Sequence, residues 1–232
     1  MKYVKRFWPL YLLTAVIFVF AALGTNRAVT TIAENTPVPR HTILVIDAGH
    51  GGIDGGATSC TGVLESQINL QIALKLNDLS HLLGYETVMI RTSDVSVYTE
   101  GETIAAKKAS DLRQRVRMVN ETENAILISI HQNTFSDSRY AGAQVFYAPT
   151  QGSQELARRM QALFSTTINP GSNRREKPAN SIYLMQNIRR TGILVECGFL
   201  SNPEEEAKLR SSPYQNQLCC VILAAIGEYL PT

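Results

Sequence analysis

The sequence lacks the cysteine pattern of a disulfide scaffold or of a thiolate metal site. Its 232 residues include four cysteines, at positions 60, 197, 219 and 220, and no Cys-x-x-Cys motif. A vicinal pair and irregular spacing match no compact disulfide framework. We therefore interpret the cysteines as mostly small buried apolar side chains.

The folded part of the chain also lacks the positive charge that a nucleic-acid-binding protein needs. The formal net charge of the whole chain is +2, but residues 1–30 contain four basic residues and no acidic residue. The remaining residues include 18 basic and 20 acidic side chains, a net charge of −2. No nucleic-acid partner is expected.

The N-terminus carries an apolar run long enough to span a bilayer, and no Ala-x-Ala cleavage motif follows it. Three basic residues precede residues 7–23, which contain no charge. This pattern predicts a signal peptide or, by a small margin, an uncleaved signal anchor over residues 1–24. A buried N-terminal helix is a further alternative. Residues 25–41 contain prolines and no periodicity, which is typical of a linker.

From residue 42 onward, strand patterns alternate with helical patterns. Short apolar runs predict strands at residues 41–47, 86–91, 125–130, 143–147 and 193–196. Helical spacing and capping residues predict helices at residues 64–83, 104–120, 153–164 and 215–230, and a helix that begins after Asn202. Strands separated by helices favour one α/β domain over residues 42–232, with helices on both faces of a mostly parallel sheet.

Three predicted strands each lead to a polar side chain at the same edge of the sheet. His50 follows the first strand, His131 follows the third and Glu196 ends the last. Ligands of open α/β sheets bind beyond the carboxyl ends of the strands, where the first helix also begins with Glu65. Two histidines and a carboxylate can bind catalytic zinc, and a further carboxylate can act as general base. Each residue alone also fits a simpler role, such as a turn histidine or a helix-start acid.

The glycine-rich stretch ILVIDAGHGGIDGG does not match a phosphate-binding loop. Asp54 stands where the third glycine of G-x-G-x-x-G belongs, and the G-K-[ST] of a Walker loop is missing from the sequence. The glycines fit better as a tight turn that brings His50 to a ligand. A nucleophilic Cys197 is disfavoured, because it and Glu196 point to opposite sides of a strand.

These residues resemble the three signature blocks of the zinc-dependent N-acetylmuramoyl-L-alanine amidases, the type 3 amidase family of bacterial cell-wall hydrolases. The blocks are IDAGHGGIDGGA with the following Glu65, then ISIHQN, then ILVECGFLSN, and the resemblance covers about residues 42–230. It implies a three-layer α/β/α fold around a twisted sheet of about six strands. It also implies one zinc ion (Zn2+) per chain on His50, Glu65 and His131, with Glu196 as the catalytic residue.

The reaction that the resemblance implies is hydrolysis of the amide between N-acetylmuramic acid and L-alanine in peptidoglycan. The small size and single N-terminal apolar segment are similar to the spore-cortex amidases, which remove stem peptides on the way to muramic δ-lactam before a deacetylase acts. An extracytoplasmic protein, membrane-anchored or secreted, is therefore expected, with an accessory protein and the deacetylase as candidate partners and the forespore cortex region as a candidate location. Another zinc peptidase acting on stem peptides and a non-catalytic peptidoglycan-binding module remain as alternatives.

Several other polar residues are candidates for supporting roles. Asn133, Arg174 and Arg175 are candidates for substrate binding, as are Arg189 and Arg190 before the last strand, and the four arginines fit equally well as solvated surface charges. Asp47 and Asp54 are candidates either to orient the ligand imidazoles or to cap turns. The block around His131 reads HQNTF, where many members of the family carry a small residue directly after the histidine.

Overall fold

A computed structural model describes residues 42–230 of the chain, so the predicted signal segment and linker lie outside the described residues. The strands and helices are β1 Ile43–Ala48, α1 Glu65–Leu82, β2 Glu86–Met89, α2 Ile104–Glu121, β3 Ala125–Asn133, β4 Gln144–Tyr147, α3 Ser153–Leu163, β5 Lys177–Pro178, α4 Tyr183–Asn187, β6 Thr191–Phe199, α5 Pro203–Leu209 and α6 Ser212–Tyr229. A π-helical turn, Phe164–Ile168, continues α3. Within residues 42–230, no helix is long and apolar enough to cross a membrane.

The six strands form one sheet in the order β2-β1-β3-β6-β4-β5. The four strands β2, β1, β3 and β6 run parallel, and β4 is antiparallel to β6. The carboxyl ends of β1, β3 and β6 therefore meet at one edge, as expected for adjacent parallel strands. This arrangement confirms the predicted mostly parallel α/β sheet.

Helices cover both faces of the sheet. Alternate residues of each strand face opposite sides, so each strand contributes side chains to two cores. Leu44 and Ile46 pack with the buried faces of α1, α3 and α6. Val45 and Leu127 pack on the other side against side chains of α2 and α4. These two cores confirm the three-layer arrangement.

The two central strands extend beyond their apolar runs. β3 continues to Asn133 and β6 to Phe199, so His131 lies inside its strand rather than after it, and Glu196 lies inside its strand rather than at the end. The ladder continues because β3 and β6 pair with each other, with a register shift between His131 and Asn133. The predicted cap of α5 is confirmed, since the Asn202 side chain accepts hydrogen bonds from the first turn of that helix.

The cysteine prediction is right for two residues and wrong for two. Cys197 and Cys219 are buried, Cys60 and Cys220 are exposed, and all four are free thiols. Successive residues of a helix point about 100° apart, so Cys219 and Cys220 cannot both face the core. Cys60 lies in the loop before α1, where no helix or strand covers it.

Candidate metal centre

Three separate elements bring two imidazoles and a carboxylate together at the carboxyl edge of the sheet. His50 lies in the loop after β1, Glu65 is the first residue of α1, and His131 lies in β3. One ligand atom of each lies within 4.8 Å of the others. The Glu65 carboxylate lies 3.2 Å from His50 Nε2 and 3.0 Å from His131 Nδ1. Zinc–nitrogen and zinc–oxygen bonds of about 2.0–2.2 Å fit a cluster of this size, so the donor set suits zinc.

The glycines of the loop after β1 leave room for these side chains. A Cβ atom on Gly49 would collide with the His131 imidazole. A Cβ atom on Gly56 would lie 2.6 Å from Glu65 Oε2 and 2.7 Å from His50 Cδ2. The lack of a side chain at Gly49 and Gly56 therefore provides the space that the side chains of His50, Glu65 and His131 occupy.

The backbone at His50 is in the left-handed region, with φ of 61°, which is uncommon for a residue other than glycine. Two buried arginines bind the carbonyls around it. Arg91 donates to the carbonyls of Ala48 and Gly49 at 2.8 and 3.0 Å. Arg115 donates to the carbonyl of His50 at 2.7 Å. The two guanidinium groups thus fix the loop that carries the first imidazole.

Neither arginine stands out in the sequence as a candidate site residue. The pattern of α2 predicts a basic exposed face, whereas the structure turns Arg115 inward, where it forms ion pairs with Asp47 and Asp111. One signal was available, because Arg115 lies four residues before Val119 and therefore on the same, buried face of the helix. The buried position of Arg91, directly after β2, has no comparable signal in the sequence.

The two aspartates of the glycine-rich stretch make different contacts. Asp54 Oδ2 lies 2.8 Å from His50 Nδ1, and its other oxygen lies 2.7 Å from the Lys108 ammonium. The hydrogen bond to Nδ1 leaves Nε2 of His50 facing Glu65. Asp47 is buried and accepts a 2.6 Å hydrogen bond from the Ser129 hydroxyl, besides its ion pair with Arg115. Asp54 thus contacts the imidazole of His50 directly, whereas Asp47 contacts Arg115 and Ser129 and neither of the two imidazoles.

Charge and burial perturb several pKa values in this cluster. Burial favours the neutral form of Glu65, but hydrogen bonds from His131 and His50 outweigh it and hold the pKa of that carboxyl well below its usual range. Burial lowers the pKa of His50, but its contacts with Glu65 and Asp54 prevail and raise it to about 9. Backbone N–H groups of Ala57 and Gln132 also donate to Glu65, which keeps its carboxylate in place.

Glu196 lies beside this cluster, because it is paired in register with His131 on the neighbouring strand. Its Oε2 atom is shielded from solvent and has no hydrogen-bond partner within the described residues. Burial raises the pKa of the carboxyl to about 7; the positive potential of His131 and His50 opposes the shift, and the charge of Glu65 adds to it. A carboxyl with this pKa can both accept and donate a proton near neutral pH. Cys197, the next residue, faces the opposite core, as predicted.

The predicted substrate-binding residues lie at different distances from the cluster. Asn133 is two residues beyond His131 on β3 and pairs with Phe199 of β6. The Arg174 guanidinium lies 5.2 Å from the centre of the Phe199 ring and donates to a backbone carbonyl. The backbone carbonyl of Arg175 accepts a hydrogen bond from the Gln144 side chain. Neither arginine lines the cavity next to the two imidazoles.

The expectation that Arg189 and Arg190 meet the substrate is wrong. Both precede β6 and bond to Asn120 at the end of α2. Five residues of strand separate Thr191 from Glu196, a span of roughly 17 Å. These arginines therefore lie at the amino ends of the parallel strands, at the edge opposite the candidate site.

The structure thus combines a mostly parallel α/β sheet with a His-Glu-His cluster that could hold a metal ion and a buried glutamate beside it, all at the carboxyl edge of the sheet. Residues 44–228 match the N-acetylmuramoyl-L-alanine amidase family, and the chain belongs to that family.

Known relatives agree with this assignment. The chain is 36% identical over 189 residues to the germination-specific N-acetylmuramoyl-L-alanine amidase of Bacillus subtilis (strain 168), covering 81% of this chain and 79% of that protein. The structure of the CwlD amidase from Clostridioides difficile in complex with the GerS lipoprotein is 35% identical, with a TM-score of 0.77 over 81% of this chain and 98% of that one. An N-acetylmuramoyl-L-alanine amidase from Clostridium difficile 630 is 32% identical, with a TM-score of 0.69 over 81% and 96% of the two chains.

Proposed function

We propose that the chain hydrolyses the amide between N-acetylmuramic acid and L-alanine in peptidoglycan, with zinc bound by His50, Glu65 and His131. The observation that carries this proposal is the convergence of the three ligand atoms beside a buried carboxylate oxygen that has no hydrogen-bond partner among the described residues. Membership of the amidase family supports the choice of substrate.

Two of the three proposed ligands are held in place by neighbouring groups. Asp54 holds His50 through Nδ1, so that Nε2 is the atom that faces the metal position. Glu65 receives hydrogen bonds from two backbone N–H groups, which fix its carboxylate at the start of α1. When bound, zinc supplies a Lewis acid that polarises the amide carbonyl and acidifies a water molecule. Because the pKa of His50 is raised to about 9 without metal, metal binding should release a proton.

Glu196 is the proposed general base and general acid. Its pKa is about 7 in the metal-free chain, and a cation bound beside it would favour the carboxylate further, so Oε2 can take a proton from the attacking water at neutral pH. The protonated carboxyl then donates that proton to the nitrogen of L-alanine as the amide bond breaks. Its register position opposite His131 keeps this oxygen next to the metal ligands during both transfers.

The biological role that we propose is removal of stem peptides during formation of the spore cortex, the step that precedes muramic δ-lactam. The support is the likeness to the germination-specific amidase of Bacillus subtilis (strain 168), which extends over most of both proteins. Residues 1–24 would act as the signal peptide or anchor that places the catalytic domain, residues 42–232, outside the cytoplasm, next to the forespore cortex. An accessory lipoprotein is a candidate partner, because the CwlD amidase from Clostridioides difficile was solved with one, and a deacetylase would act on the product.

Mass spectrometry of peptidoglycan digests tests the reaction. The zinc-loaded chain should release intact stem peptides that begin with L-alanine and leave free lactyl groups on the glycan. Shortened stem peptides that remain attached to the glycan would indicate a different zinc peptidase. Binding to peptidoglycan without any released peptide would indicate a non-catalytic module. In the source organism, loss of the gene should remove muramic δ-lactam from the spore cortex.

A further inference from the structure

A cavity of about 190 Å³ extends from the candidate metal centre toward α2 and α4. The imidazoles of His50 and His131 line its inner end, so any group inside it lies next to the proposed metal position. The walls are mainly apolar and include Ile53, Leu112, Ile182, Leu184 and Leu194. Pockets of this kind, apolar with a few polar groups, are typical of ligand sites.

Two successive lysines lie at the rim of this cavity, and only one of them is engaged in an ion pair. Lys108 is paired with Asp54 at 2.7 Å. Lys107 makes no ion pair within residues 42–230, and its ammonium lies 5.2 Å from the centre of the Tyr98 ring. The other acidic groups of the lining, Asp47 and Asp111, are paired with Arg115.

The position of these lysines in α2 is locally unfavourable. They are the fourth and fifth residues of the helix, and its first turn contains no acidic residue. Cations near a helix N-terminus are disfavoured by the helix dipole, whereas anions are stabilised there. Departures from local preference of this kind are expected at functional sites. The ammonium of Lys107, which has no ion-pair partner within residues 42–230 and lines a cavity whose acidic groups are all paired, favours an anionic ligand there.

We propose that this cavity and Lys107 form a subsite for the stem-peptide residue that follows L-alanine, and that Lys107 binds a carboxylate on that residue. The cavity is open to solvent on one side and can take one amino-acid residue of the stem peptide. The glycan half of the substrate presents neutral hydroxyl and acetamido groups, whereas the stem peptide presents carboxylates. The proposal rests on the proposed function, because it assigns the peptide half of that substrate to this side of the metal centre.

Two matched substrates test the subsite. One is a muramoyl peptide whose second residue is γ-linked D-glutamate with a free α-carboxylate, and the other carries the corresponding carboxamide. The wild-type chain should prefer the carboxylate by about fivefold in kcat/KM, the effect of one partly exposed ion pair. Lys107→Met should abolish the preference by slowing the carboxylate substrate alone, and Lys107→Arg should retain it. Lys75→Met is the control, because Lys75 lies ten residues into α1, roughly 15 Å from Glu65.

The outcomes separate the subsite from the reaction itself. Equal rates of the wild-type chain on both substrates, or equal slowing of both by Lys107→Met, would overturn the subsite while leaving the amidase reaction standing. If neither substrate is hydrolysed, the reaction is wrong, and calorimetric titration with the dipeptide L-alanyl-D-glutamate still tests the subsite. The dipeptide should bind about fivefold more weakly to Lys107→Met than to the wild-type chain, and unchanged binding would overturn the proposal.

Discussion

Arg115 donates a hydrogen bond of 2.7 Å to the backbone carbonyl of His50, a residue that adopts a left-handed φ of 61°. A non-glycine residue in that conformation costs about 1–3 kcal/mol and persists only where its surroundings hold it. Arg115 is itself fixed by ion pairs with Asp47 of β1 and Asp111 of α2. The guanidinium therefore links a strand, a helix and the loop that presents the proposed metal ligand.

Replacement of Arg115 should weaken metal binding without touching a metal ligand. In Arg115→Met the His50 backbone loses its partner, and zinc affinity should fall by about 10–100-fold, as for other residues that orient ligands. Competition with a chromogenic chelator measures this affinity. Arg117→Met, on the exposed side of the same helix, is the control and should leave it unchanged. A loss of stability with unchanged zinc affinity would show that Arg115 supports only the fold.

Asp47 should give the chain a stability that depends on pH. Burial raises the pKa of Asp47, but Arg115 and Ser129 outweigh it and hold the pKa below the ordinary 3.8. The stabilisation is therefore complete above pH 3.8 and is lost as pH falls through the lower, folded-state pKa. Asp47→Asn should reduce the free energy of unfolding at pH 7 by about 3–5 kcal/mol, because Arg115 is left without this buried partner. Urea unfolding of both chains from pH 7 down to pH 2.5 should show the difference shrinking below pH 3.8; a constant difference would contradict the ion pair.

Gly49 should be required for metal binding because a side chain at this position would collide with the His131 imidazole. A Cβ atom there meets the His131 imidazole, so Gly49→Ala should displace the ring from Glu65 and weaken zinc binding at least about tenfold. The control is Gly227→Ala in α6, where the nearest atom to a new Cβ lies 3.7 Å away. That change should leave zinc affinity unaltered and stabilise the helix by about 1 kcal/mol. Equal zinc affinity in both variants would rule out the steric role.

The proton-transfer role that we propose for Glu196 depends on its raised pKa. In the metal-free chain, carbon-13 NMR of labelled glutamate carboxyls should show one group that titrates near pH 7, and this signal should be missing from Glu196→Gln. The protonated form is favoured because burial penalises the charged carboxylate. Glu205→Gln is a useful assignment control, since it removes another buried carboxyl whose oxygen accepts hydrogen bonds from backbone N–H groups. A Glu196 signal that titrates near 4.5 would contradict the burial of this group.

The sequence predicts five of the six strands, five of the six helices and the four central polar residues, because each depends on local patterns; it misses β5 and α4, which are two and five residues long. An apolar run followed by His50, His131 or Glu196 identifies a strand and the edge to which it leads. The pairing of β3 with β6 is not local, and it explains why both strands continue through His131 and Glu196. Arg189 and Arg190 precede the last strand in the sequence prediction as in the structure, and residues before a parallel strand lie at the edge opposite its carboxyl end, so their position alone argues against contact with the substrate.

The residues that hold the site in place are harder to predict from the sequence than the four central residues of the site. Arg91 and Arg115 act on backbone carbonyls more than forty residues away in the chain, and such contacts leave no periodic signal. The space left by Gly49 is likewise defined by a side chain from another strand. That glycines allow a tight turn can be predicted from the local sequence. That the space at Gly49 is filled by the His131 side chain follows only from the pairing of β1 with β3.

Glu196→Gln, assayed for zinc content and for released stem peptide on the same preparation, tests the central claim most directly. The amide is nearly isosteric but cannot accept a proton as the carboxylate does. One zinc ion per chain should remain bound, while release of peptides beginning with L-alanine should fall by about 10²–10⁴-fold, the contribution of general acid–base catalysis. Full activity of the zinc-loaded Glu196→Gln chain would contradict the mechanism, and loss of its zinc would instead place Glu196 among the metal ligands.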